Sequence, residues 1–168
     1  LIAVALTAFG TYGFYLANPS PSIDWLSYDR YYNGILFSQG RFTATIVEKA
    51  LNLWNCPVWF EPLLGIVCFI LGTLIMLAIF DGFYEQQSIV PSIVFSCIYI
   101  SFPLLAEYFL YNGAILTVGG STALLSLALY FSIKYSDIWR SLVLPTVLMT
   151  VVFSWYECMI LPYVGVVF

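Results

Sequence analysis

Apolar residues fall into six stretches along this chain, at 1–17, 63–80, 89–105, 114–133, 139–156 and from 160 onward, and most charged positions lie between them. A helix that crosses a bilayer needs about 20 largely apolar residues, so the pattern predicts five spanning helices and the start of a sixth. The connections differ in character: 18–62 is long, 81–88 short and polar, 103–113 short and aromatic, 134–137 short and charged. Successive crossings then sort the charges. One side receives Asp24, Asp29, Arg30, Arg41, Glu48, Lys49, Glu61, Glu107 and Glu157, and the other Asp81, Glu85, Lys134, Asp137 and Arg140.

The long loop carries a helical pattern of its own. At 100° per residue Trp25, Tyr28, Tyr32 and Leu36 share a narrow arc, with Ser27, Arg30, Gly34 and Ser38 opposite, the signature of an amphipathic helix lying in the membrane interface. Gln39-Gly40 breaks it. A second helix, about 42–54, ends at Asn55-Cys56-Pro57, and Trp54, Trp59 and Phe60 mark the headgroup level before the chain re-enters.

Composition agrees with this picture. Of 168 residues, 62% are hydrophobic and 8% charged, against about 25% charged in a soluble domain. The fold class expected is therefore an all-α polytopic transmembrane bundle with amphipathic interfacial helices in its first outer loop. The chain opens at Leu1 without a Met and stops inside an apolar run, so it is read as the N-terminal part of a longer membrane domain. The net charge of -4 rests on few groups, and no basic cluster points to nucleic acid. Four cysteines without a CxxC, in a chain without histidine, make a zinc site of the usual composition improbable; Cys68 and Cys97 read as small packing residues. Lys134 and Arg140 crowd one tight connection, as cytoplasmic loops do, which puts the long loop outside.

Three acids from separate segments then share one face: Asp24 just beyond the Pro19-Ser20-Pro21 turn, Glu107 breaking an apolar run with Tyr108 and Tyr111 nearby, and Glu157 at the end of the fifth span. Asp24 suits two roles, the N-cap of the interfacial helix and a carboxylate that takes a proton from a sugar hydroxyl. A charge within a span is costly, so Glu107 belongs at a membrane edge or a wet cavity. Arg30 and Arg41 bring the planar fork that grips phosphate with two hydrogen bonds, and Tyr28 and Tyr111 suit two roles, lining a cavity where they stack on sugar or joining an ordinary interfacial aromatic belt. Glu48, Lys49 and Glu61 read as solvated positions, and Gly119-Gly120-Ser121 as a small-residue patch for close helix packing.

Taken together, DWLSYDRYYNGILFSQGR, the Pro-to-Tyr element in FPLLAEYFLYNG and the later SWYECM resemble the phage-type serotype-converting O-antigen glucosyltransferases, membrane enzymes of the GT-C type. The resemblance implies that glucose passes from undecaprenyl-phosphate glucose to a sugar hydroxyl of O-antigen lipopolysaccharide, on the periplasmic side of the bacterial inner membrane. It places Asp24 at the family's outer-loop acid, Arg41 in its Gly-Arg element and Glu107 in its Pro-to-Tyr element, and it implies no metal or other cofactor. Where relatives carry paired acids this chain has Ile23-Asp24, leaving the base between Asp24 and Asp29. A transporter or lipid flippase is the main alternative, a non-catalytic membrane subunit the next. The span centres are almost free of charge, which favours the enzyme.

Overall fold

The computed structural model describes residues 1–18, 41–83, 89–103, 105, 109, 115–156 and 159–167. All regular structure among them is helical: α1 (Ile2–Ala17), α2 (Phe42–Ala50), α3 (Phe60–Gly82), α4 (Ile89–Ile100), α5 (Ile115–Lys134), α6 (Leu144–Trp155) and α7 (Ile160–Val167). Of these, α3 and α5 are each long and apolar enough to cross a membrane, while α1, α4 and the run 139–155 are apolar but shorter.

Where the helices stop follows from local chemistry. The helix expected over about 42–54 closes at Ala50, because Asn52 turns into the left-handed region at φ 51°, a conformation asparagine tolerates. A single 3₁₀ turn, Leu53–Asn55, follows. Instead of beginning at 63, α3 begins at Phe60, with Glu61 and Pro62 in its first turn. That turn has no use for the missing proline N–H and favours a negative charge. The stretch expected to reach 105 leaves helix at Ile100, two residues before Phe102, whose α conformation the following Pro103 disfavours. A π-turn, Trp139–Val143, precedes Pro145, giving room at a point where a proline ring excludes the carbonyl four residues back.

Contacts fix the direction of each helix. A Cβ at Gly119 would stand 2.8 Å from the Gly65 carbonyl oxygen, and one at Gly72 would stand 3.3 Å from the Ala123 Cα. So α3 and α5 run parallel, backbone against backbone, which only small residues permit. The hydroxyl of Tyr12 donates to the Ile100 carbonyl, and the Thr7 hydroxyl lies 3.2 Å from the Cys97 sulfur, so α1 and α4 run parallel too. Ser92 donates to Asp81 across the α3–α4 hairpin at 2.6 Å. Ser132 and Tyr163 pair at 3.0 Å and Met159 shares a cleft with Thr122 and Leu125, so α7 runs parallel to α5, while Trp155 on Gly120, with Met149 and Val152 clustered with Leu125 and Leu129, makes α6 antiparallel to it.

Two consequences follow. The C-termini of α1, α4 and α6 meet the N-termini of α3, α5 and α7 at one end of the bundle, called the rim below. Asp81, Lys134, Asp137 and Arg140 sit at the other end, where Arg140 lies 3.9 Å from Asp137 and its guanidinium is 5.1 Å from the Tyr135 ring centre. For the described charges, this is the sorting that the apolar pattern predicts. Near the rim, an aromatic stack fills the space between α1 and α3, with Tyr12 and Phe109 parallel at 4.5 Å and Phe69 beside them.

Candidate functional site at the rim

Among the arginine and acid positions proposed from the sequence, the described residues include Arg41. Asp24, Tyr28, Asp29, Arg30, Glu107, Tyr111 and Glu157 lie outside the described residues, as does the interfacial helix expected over 25–38. The described helix ends that flank these segments, at Asn18, Arg41, Ile115 and Tyr156, all belong to the rim.

Arg41 immediately precedes α2, which packs on the last turns of α6. Two polar contacts pin it there. The guanidinium of Arg41 stands 5.8 Å from the centre of the Tyr156 ring, within the range of cation–π attraction. Two residues on, the Thr43 and Ser154 hydroxyls are hydrogen-bonded to each other. The Thr45 hydroxyl turns back to the Arg41 carbonyl at 3.1 Å and steadies the first turn.

The face of α2 turned inward is its polar one. Ala44, Thr45 and Glu48 are buried, Glu48 to 3% exposure, whereas Phe42 and Ile46 are 43% and 60% exposed. This corrects the reading of Glu48 as a solvated position. A buried carboxylate is rare unless it is engaged, and Glu48 does not stand alone. The sequence held the signal: Arg41, Thr45 and Glu48 are spaced i, i+4, i+7, one helical face, with Phe42 and Ile46 turned from it.

Trp155, the last residue of α6, is held by α5. A Cβ at Gly120 would overlap its six-membered ring at Cζ3, so the glycine is the seat of the indole. With Cζ3 toward α5, the Nε1 edge lies on the opposite side of the ring. That Nε1 is buried and has no hydrogen-bond partner among the described residues, and the same holds for the Ser121 hydroxyl next to the seat. An apolar cleft of about 410 Å³ reaches the same end of the bundle, lined in part by Phe102, Leu105, Thr122, Leu125 and Met159.

The glycine patch therefore packs helices, and α2 brings Arg41, fixed on an aromatic ring, and the buried Glu48 to the end of α6. Guanidinium and hydroxyl groups are of the kind that take oxygen-rich, anionic ligands. The sequence pattern of the glucosyl transferase GtrII family matches residues 13–168. The chain belongs to that family. The match takes in the last five residues of α1 and every described helix after it, and with them the rim. The resemblance to the serotype-converting glucosyltransferases is thereby borne out, and a GtrII chain is a glucosyl transferase by family. No curated protein and no solved structure matches it. Within GtrII, then, the rim is where this chain gathers its described polar groups on that side of the bundle.

Proposed function

We propose that this chain transfers glucose from a polyprenyl-phosphate carrier, undecaprenyl-phosphate glucose, to a sugar hydroxyl of O-antigen lipopolysaccharide, at the periplasmic face of the bacterial inner membrane. The observation that carries the reading is the GtrII match over 13–168. The antiparallel helices support a polytopic bundle of the GT-C kind, with the rim as its outer end.

In the reaction an acceptor hydroxyl attacks C1 of the glucosyl group. A new C–O bond forms, the bond from C1 to the phosphate oxygen breaks, and the hydroxyl proton passes to a carboxylate. Asp24 or Asp29 takes that proton, with Glu107 the second acid of the site. Arg41, joined by Arg30, neutralises the departing lipid phosphate. Tyr28, Tyr111 and Glu157 line the space for the acceptor. The apolar cleft beside Phe102 and Met159 has the chemistry for the carrier's hydrocarbon chain.

The decisive measurement is glucosyl transfer by membranes carrying Asp24→Asn in the full-length protein. Transfer is expected to fall by about 100-fold or more, the scale of a lost general base, with unchanged amounts of inserted protein. Near-normal transfer removes Asp24 and leaves Asp29, for which the same substitution decides.

A further inference from the structure

We propose that the contact between α2 and α6 is a subsite for the glucosyl ring of the donor, closed in this structure by α2 itself. The inference rests on the glucosyl-transfer reading above and says where the sugar goes.

Its first support is the inverted polarity of α2. In a chain that is 62% hydrophobic, this helix turns Thr45 and Glu48 inward and leaves Phe42 and Ile46 outside. Against hydrocarbon or headgroups such a helix shows lipid its apolar side and keeps its polar side for the protein. Packing alone has no need of a carboxylate there: an apolar residue of similar size serves a structural contact as well or better. A polar inner face is what a wall around a polar ligand requires.

The second support is independent of α2. The Trp155 Nε1 is a hydrogen-bond donor in a side chain only 9% exposed, and it has no partner among the described residues. Buried donors are almost always satisfied, and no described residue supplies this one's acceptor. Gly120 fixes the ring so that the donor cannot swing into α5. The Ser121 hydroxyl, beside the same seat and fully buried, is likewise unpartnered among the described residues.

These groups complement a hexose. Its hydroxyls both donate and accept: Glu48 accepts, Trp155 donates, and Thr43 and Ser154 do either. A neutral ring also suits a site with a carboxylate in it, while Arg41, at the edge over Tyr156, faces the phosphate. Entry requires α2 to lift. It is only nine residues long, and the Thr43–Ser154 hydroxyl pair that ties it to α6 is of the kind a sugar hydroxyl replaces.

Two experiments on the full-length protein in membranes test this. In a chain whose native cysteines are replaced by alanine, Thr43→Cys with Ser154→Cys joins α2 to α6 when oxidised. Transfer is expected to fall at least tenfold and to return on reduction, and saturating donor is expected to slow the crosslinking. Separately, replacing Trp155 by β-(3-benzothienyl)alanine keeps the bicyclic shape and removes the N–H, and Glu48→Gln keeps the volume and removes the charge. Each is expected to raise the donor KM at least fivefold while Tm stays within a few degrees. An active protein whose crosslinked form keeps its rate, or whose Trp155 isostere keeps its KM, overturns the subsite. A wild-type chain that transfers no glucose fails the previous reading, and this one with it.

Discussion

At the scale of single residues, the position of Arg41 carries the clearest consequence. Its guanidinium is set over the Tyr156 ring, so its charge is held in place. Arg41→Lys keeps the charge and loses the flat, forked geometry. The donor KM is expected to rise about tenfold, the effect of one charge-assisted hydrogen bond at about 1.5 kcal/mol or slightly less. Initial rates against donor concentration check it, and an unchanged KM takes Arg41 out of phosphate binding. Glu48 shows what the sequence does and does not disclose at this scale. Its helical spacing from Arg41 was readable, but a short loop helix between spans is ordinarily solvated on its charged side. Only the docking of α2 on α6, through partners 111 residues apart, reverses the two faces.

Among the elements, the α3–α5 pair sets the geometry on which the rim depends. Gly65, Gly72 and Gly119 let the two backbones touch, and Gly120 on the same helix seats Trp155. Gly119→Val therefore drives a side chain against the Gly65 carbonyl and is expected to cost about 1–3 kcal/mol or more, as overpacking does. Gly10→Ala, in open space on α1, is its control. The thermal midpoint in detergent measures both, and equal midpoints would mean that α3 and α5 separate easily. The helices were legible because apolar runs declare themselves, and the small-residue patch because glycine pairs have few other uses in an apolar helix. Ends were less so. Asn52 entering the left-handed region, and Pro103 acting on the residue before it, decide boundaries over one or two residues, below what hydropathy reads.

For the whole molecule, the alternating directions of α1, α3, α4, α5, α6 and α7 put Arg41 and Glu61 at one end and Asp81, Lys134 and Arg140 at the other. Single cysteines at Asn55 and at Asp137, in a cysteine-free background, are expected to react with a membrane-impermeant maleimide from opposite sides of sealed vesicles, Asn55 from the periplasmic one. Labelling of both from one side would undo the polytopic arrangement, and labelling from reversed sides would turn the rim toward the cytoplasm. The architecture at this scale was the part most visible in the sequence, since it needs only the order of apolar runs. How the rim closes was not, because it depends on contacts between segments remote in the chain.

The inside-out character of α2 bears also on how the protein is made. Its Thr43 is bonded to α6, and the Ser154 that receives it is synthesised 111 residues later. Throughout that interval a nascent chain carries an arginine whose Tyr156 ring is not yet made. The segment waits at the bilayer surface while the later hairpins are threaded, and its docking is a late event in biogenesis. Damage to α6 would then leave a protein fully inserted yet with its first loop never seated.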